Sequence, residues 1–340
     1  MGSVKDLFVL SSPRDDIMGQ GKFVFSDRYS VFDWGEMPDH IAGKGQSLCL
    51  IGAYFFEKLE ELGYQTHYLG LEENGQWKKL QDLQAPSNVM GVKLVRVIHP
   101  TQMGETYDYG VYHRENNNFL IPFEFIYRNS LPAGSSFRRR VGDKTIRLDD
   151  YGLKSLPPDD EILTSPILDV STKLEEQDRY LSWKDVLMVG ILNEDDVDAI
   201  QLALRFANDL ISREVASIGL RNEDGKIELA FNPHQELIFV DVVGTPDECR
   251  FTTRGIHLSK EIAREFYRKT EWYEEVKSVK STHQVGWKYL VKSQPISLPK
   301  DLLRAITWMY QRIAMDLTRR EWFSRVPSFP QVVEEIAQFV

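Results

Sequence analysis

The sequence predicts an α+β protein of two lobes. Residues 1–125 form an N-terminal antiparallel β-rich lobe, and residues 126–340 a larger α/β lobe that holds an antiparallel sheet and ends in a helical tail. Three observations predict it. Short strand-like apolar runs crowd the first 130 residues around a single amphipathic helix, and a long helical pattern begins near residue 183. Two strand patterns then flank Asn232-Pro233-His234, a turn signature that makes them a hairpin. A chain of 340 residues has ample material for a large core.

The elements follow in order. "DLFVL" and "KFVFSD" read as two strands joined by the polar "SSPRDDIMGQG". From Gly45 to Leu62, Leu48, Ile51, Phe55 and Leu59 recur at spacings of three and four, the period of a helix with one buried face. "GVKLVRVIHP" and "FLIPFEFIYRN" are strands on either side of a polar insert at about 101–118. "SLPPDDEILTSP" reads as a linker between the lobes. Residues 183–215 read as one long helix with Val197, Ile200, Leu204, Ala207 and Ile211 on its buried face. "GKIELAF" and "ELIFVDVV" are the hairpin strands, and the tail is helical, notably over 299–323.

Composition excludes several classes. The net charge of −10 argues against a general nucleic-acid-binding surface, so any anionic ligand must be held by local basic groups. No run approaches the length of apolar chain that crosses a bilayer, and the N-terminus lacks a basic region followed by an apolar one. A cytoplasmic location is the expectation. Cys49 and Cys249 form no CxxC pattern, and the histidines show no metal-ligand spacing, so each histidine is expected at the surface or in a hydrogen bond.

The chemistry concentrates in a few stretches. In "DGKIEL", strand alternation puts Asp224, Lys226 and Glu228 on one face. That pattern is ordinary for a solvated strand. However, the hairpin returns Asp241 towards Glu228, and two converging carboxylates suit Mg²⁺, a hard cation that fills its remaining positions with waters or phosphates. "AGSSFRRR", with hydroxyls, exposed backbone N–H groups and guanidinium groups, suits an anion. "SDRYSVFD", "AGKG", "STKLEEQD" and "TPDECR" each also read as a strand end, a turn or a helix start.

Their order carries more than any one of them. Together they resemble the SAICAR synthetase family, in which a TDR-x-SAFD stretch precedes a glycine-lysine-glycine turn and a helix, here "SDRYSVFD" and "GKG". An E-x-x-x-R strand with a following G-S-S segment is matched by Glu124, Arg128 and "AGSSFRRR". "STKLEEQD", "DGKIEL", "DVVGTPDECR" and "SKEIAR" match the later segments, so the resemblance runs from about residue 2 to 270. Three places depart from the pattern. Ser3 stands where a nucleotide-binding lysine is usual, with Lys5 or Lys22 as replacements; Val242 replaces an acid; and Gln177-Asp178-Arg179 replaces a histidine-containing segment.

The resemblance implies an ATP-dependent ligase that joins L-aspartate to the carboxylate of carboxyaminoimidazole ribonucleotide through an acyl phosphate, with ATP in a cleft between the lobes. It implies Lys226, Glu228 and Asp241 as the catalytic set, with Glu228 and Asp241 holding Mg²⁺. ATP would be met by Lys5, by the backbone of Ile121 and Phe123, and by Glu124 near the ribose. Arg128, Ser135, Ser136, Arg250 and Arg264 would take the ribonucleotide's phosphate and carboxylate. Lys173 and Asp178 would recognise aspartate, and Asp27 and Lys44 would line the same cleft. The expected partners are these small molecules, with neither nucleic acid nor membrane and with a homo-oligomer possible. The departures keep two other readings open: a sister ligase with a different amine or carboxylate, and a non-catalytic nucleotide-binding relative.

Overall fold

A computed structural model describes residues 4–104, 106–112, 117–159, 161–283 and 286–339. Ser3 and His113 lie outside the described residues.

The chain opens with a hairpin of β1 (Lys5–Ser11) and β2 (Gly19–Phe25), followed by α1 (Lys44–Glu61). Next come β3 (Tyr68–Glu73), β4 (Gln76–Lys78) and β5 (Val89–Leu94). These strands build an antiparallel sheet in the order β1-β2-β5-β3-β4. Its floor is α1, whose Leu48, Ile51, Phe55 and Leu59 are all buried, as their spacing requires. The sequence reading missed β3 and β4. Gly70 at φ 146° interrupts β3, and the exposed β4 lacks an apolar alternation.

The polar insert contains a small hairpin, β6 (Thr101–Met103) with β7 (Thr106–Asp108). The second sheet then begins with β8 (Phe119–Leu120) and β9 (Phe123–Ser130). After α2 (Ser136–Gly142) it gains β10 (Ile162–Thr172) and β11 (Tyr180–Leu181). Two helices, α3 (Trp183–Val189) and α4 (Glu194–Ala216), lead to β12 (Arg221–Phe231), β13 (Leu237–Val240), β14 (Cys249–Thr253) and β15 (Ile256–His257). The main path of this sheet is β11-β10-β9-β12-β14-β15, and β8 and β13 both pair with the far end of β12. Every strand pairing in both sheets is antiparallel among the described residues. The strand β9 belongs wholly to the second sheet and spans residue 125.

Two readings need correction. The stretch 183–215 is not one helix. Gly190 at φ 80° ends α3, and Asn193 with Asp196 forms a reciprocal cap that starts α4. Periodicity does not reveal such a break because apolar residues continue through it. The linker reading of "SLPPDDEILTSP" also fails at its end, where Ile162 already begins β10.

The predicted hairpin forms as expected, with Phe231 opposite Leu237 and Glu228 opposite Val240. Asn232 Oδ1 accepts from the backbone N–H groups of His234 and Glu236, the side-chain turn that the Asn-Pro-His sequence announces. The tail comprises α5 (Glu261–Tyr267), α6 (Glu271–Thr282), α7 (Lys300–Thr318) and α8 (Phe329–Ala337). Helix α7 packs on α1, which brings Tyr310 into the core, with Trp308, Trp322 and Phe323 against its margin. Among the described residues, no helix is long and apolar enough to cross a membrane.

Candidate active site

The site is built on one face of the second sheet. Antiparallel register puts Asp224 opposite Arg128 and Lys226 opposite Ile126, so Glu124 and Arg128 of β9 share a face with Asp224, Lys226 and Glu228 of β12. The same rule adds Asp169 and Ser171 of β10 and Arg250 of β14. This face is not a solvated one: Asp224 and Glu228 are only 7% and 6% exposed. Charges so placed must be paired. They fall into two clusters.

The first cluster alternates ammonium groups and carboxylates. Lys226 Nζ lies 2.7 Å from Glu124 and 3.3 Å from Glu248, and Lys173 Nζ lies 2.6 Å from Glu228 and 3.4 Å from Glu124. Asp241 enters from the end of β13 in a left-handed conformation, φ 64°, and meets Lys5 of β1 at 2.7 Å. The second sheet is thereby tied to the first strand of the other. Of the two lysines that could stand in for the one missing at Ser3, the fold brings Lys5 to the cluster. Lys22 instead lies over the Phe8 ring.

Burial alone would lower the Lys173 and Lys226 pKa values, but the surrounding carboxylates outweigh it and keep both ammonium groups charged. Glu228 responds the opposite way. Desolvation and then the neighbouring Asp241 carboxylate lift it to about 7, against Lys173 and Lys226. Asp241 stays well below the usual carboxylate range because Lys5 and Lys173 overcome its own desolvation. Asp178 is exposed, and partial desolvation and then the Glu124 carboxylate raise its pKa.

Among the described residues no group of three His, Cys, Asp or Glu side chains forms a metal cage. A hard cation shared with a polyphosphate does fit Glu228 and Asp241. They offer two carboxylates of the hard-oxygen type such a cation takes, and Glu228, lifted first by desolvation and then by Asp241, would gain from a divalent cation beside it.

The second cluster is rich in guanidinium groups. Arg128, 3% exposed, sends Nε to Asp169 at 2.8 Å and Nη1 towards Asp224 at 3.4 Å, while Nη2 reaches Ser136 Oγ at 3.1 Å. Arg250 forks onto the Asp224 carboxylate, its Nε at 2.7 Å from Oδ1. Arg128 and Arg250 outweigh the desolvation of Asp224 and hold its pKa low. Arg264 sits on α5 and pairs with Glu261 at 3.0 Å; the field of Glu261 acts on both Arg250 and Asp224, so Arg264 borders the cluster.

Other candidates lie elsewhere. Lys44 is fully buried, with its ammonium 2.7 Å from Asp247, whose other oxygen takes the Tyr310 hydroxyl at 2.6 Å. Asp27 accepts the N–H groups of Gly43 and Gly45 at 3.1 and 3.0 Å and so fixes the start of α1. Gly43 is at φ 73°, and a Cβ at Gly45 would come within 2.7 Å of Phe25 O, which explains the glycines of "GKG". These contacts stabilise the lobe, committing Asp27 to the start of α1 and Lys44 to Asp247. Ser135 caps α2 by accepting from Arg138 N. Ile121 N–H donates to Leu229 O, so that group is spent within the sheet, and the Phe123 side chain is buried in the core. Val242 has joined the same core.

Asp169 and Tyr180 also belong to these clusters and were not singled out from the sequence, while Arg140 and Glu248 join them from within the quoted "AGSSFRRR" and "TPDECR". The one available signal was an acid, Asp169, inside the apolar run "PILDV".

The sequence profile of SAICAR synthetase matches residues 1–280. A protein of Archaeoglobus fulgidus, provisionally named phosphoribosylaminoimidazole-succinocarboxamide synthase, is 45% identical over 338 residues, covering 99% of each chain. A phosphoribosylaminoimidazole-succinocarboxamide synthase of Thermoplasma volcanium is 29% identical, covering 94% of this chain and 98% of its own. Two solved structures show the same fold. SAICAR synthase from Saccharomyces cerevisiae, complexed with SAICAR, has a TM-score of 0.62 at 19% identity, covering 95% of this chain and 94% of its own. A type-2 SAICAR synthetase in complex with ADP has a TM-score of 0.55 at 19% identity, covering 87% of this chain and 99% of its own. The profile match over most of the chain and the full-length relative together place this chain in the SAICAR synthetase family.

Proposed function

We propose that the chain uses ATP to join L-aspartate to the carboxylate of carboxyaminoimidazole ribonucleotide, giving SAICAR, ADP and phosphate. The observation that carries this reading is the convergence of a lysine–carboxylate cluster and an arginine cluster on one sheet face, in a member of this family. The first suits a polyphosphate with its cation, and the second suits an anionic substrate.

A carboxylate resists attack by an amine because oxide is a poor leaving group. A carboxylate oxygen therefore attacks the γ-phosphorus of ATP, ADP departs, and an acyl phosphate forms. The aspartate amine then attacks the acyl carbon, phosphate leaves with the C–O bond electrons, and the nitrogen loses a proton. No side-chain nucleophile is needed, only positioning and charge neutralisation.

Lys226 and Lys173, both held charged, neutralise the transferring phosphoryl group and the substrate carboxylates. Lys5 and Glu124 line the nucleotide side. Arg128, Ser136 and Arg250 bind the ribonucleotide, with Arg264 at the margin, and Asp178 meets the aspartate ammonium. Glu228 and Asp241 would hold Mg²⁺, which when bound neutralises polyphosphate charge. The reaction belongs to the cytoplasm.

A coupled ADP assay with carboxyaminoimidazole ribonucleotide and L-aspartate tests the reading, with each omitted in turn. ADP release that requires both supports it. Release that is indifferent to aspartate but responds to another amine would assign a sister ligase.

A further inference from the structure

The arginine cluster has an outer layer of hydroxyls. Arg128 spends Nε on Asp169 and directs Nη1 at Asp224, so Nη2 is its edge towards the cleft. That edge is covered by Ser136 Oγ at 3.1 Å and by the Tyr180 hydroxyl at 3.3 Å, which are themselves 2.8 Å apart. Arg128 is buried, so an anion arriving at this face meets the two hydroxyls together with the guanidinium edge behind them.

Tyr180 is fixed for such a role. The Arg140 guanidinium carbon lies 3.8 Å from its ring centroid, a cation–π stack. Arg140 is anchored in turn by Asp169, which also accepts from the Tyr151 hydroxyl at 3.1 Å. The Asp169 side chain is fully buried and cannot touch a ligand; it is the shared counter-charge that holds both arginines. Arg128, Arg140 and Arg250 share the Asp169 and Asp224 carboxylates as their direct ion-pair partners, and Glu261 acts on Arg250 from α5. Arg140 Nε, moreover, is a buried donor with no hydrogen-bond partner among the described residues.

We infer that Tyr180 is a further binding residue of this site: its hydroxyl, with Ser136 and the Arg128 edge, takes the oxygens of the substrate's phosphate monoester. The inference rests on the proposed function for the identity of the substrate. Tyr180 opens β11 two residues after Asp178, so the same short segment carries a group for each of the two substrates.

The test is Tyr180→Phe, which keeps the ring and its stack on Arg140 and removes only the hydroxyl. Ribose 5-phosphate is titrated calorimetrically into the parent and the variant, with ADP as the control ligand. The expected result is roughly tenfold weaker binding of ribose 5-phosphate, the effect of one hydrogen bond to a charged group, with unchanged ADP binding and an unchanged Tm. In turnover, the KM for the ribonucleotide rises by about the same factor while that for ATP stays constant. Equal affinity of parent and variant overturns the inference, as does absence of ribose 5-phosphate binding by the parent at millimolar concentration. A loss shared equally by ADP assigns Tyr180 to packing and also overturns it. If ribose 5-phosphate binds through Tyr180 but ADP release does not require aspartate, the ligase reading fails and the phosphate site stands.

Discussion

Lys173 Nζ stands 2.6 Å from Glu228 Oε1, joining the turn after β10 to the centre of β12. The pair links two groups that the sequence reading assigned to different tasks, aspartate recognition and metal binding. In space, a change in the charge of Glu228 is felt directly by Lys173.

Glu228→Gln preserves shape and removes one carboxylate. ADP formation is expected to fall by at least a hundredfold, because the charge stabilisation lost at the phosphoryl group is worth several kcal/mol. Steady-state rates with an unchanged circular-dichroism spectrum check this. A parental rate with the parental Mg²⁺ dependence would place the metal elsewhere.

The same substitution makes a pH prediction for stability in the absence of divalent cations. The folded-state pKa of Glu228 is lifted above its ordinary 4.5 to about 7. Its contribution to stability is therefore complete below pH 4.5 and is lost as pH rises through 7. Glu228→Gln mimics the protonated form, so its Tm relative to the parent should improve steadily between pH 5 and about pH 8 in EDTA. A relative Tm that is flat across that range would show the carboxyl to be ordinary.

Mg²⁺ and a proton should compete for Glu228. Below about pH 7, the Mg²⁺ concentration giving half-maximal ADP release should rise by up to tenfold per pH unit. Measuring it at pH 6 and pH 8 decides the matter.

Arg128→Ala carries two costs. Binding of the ribonucleotide should weaken about ten- to a hundredfold, more than that of ATP. The fold should lose roughly 3–5 kcal/mol as well, since Asp169 and Asp224 are buried and would lose a counter-charge. Arg250→Ala, at a more exposed position, should affect binding with less loss of Tm.

Lys44→Met should destabilise without a selective effect on any KM. It leaves Asp247 buried beside Tyr310 without its cation, a loss on the order of 3–5 kcal/mol. A selective rise in one KM at constant Tm would place Lys44 at the substrate cleft instead.

The sequence by itself determined whatever depends on local period and short spacing. Helix α1, the buried stripe of α4 and the Asn232 hairpin were legible because each is fixed by residues a few positions apart. The face shared by Asp224, Lys226 and Glu228 was legible because strand alternation is a rule of geometry. The order of the motifs gave the family, since seven weak patterns in sequence are improbable by chance. What the tertiary structure decided is which charge meets which. Lys5 finds Asp241 across 236 positions and Lys44 finds Asp247 across 203, pairings set by strand order and helix packing. Burial was decided there too: alternation gives "DGKIE" one common face, but only the sheet of β9, β10, β12 and β14 makes that face an interior. Asp169 and Tyr180 were illegible for the same reason, because their meaning comes from Arg128 and Arg140, which lie far away in the chain and adjacent in the fold.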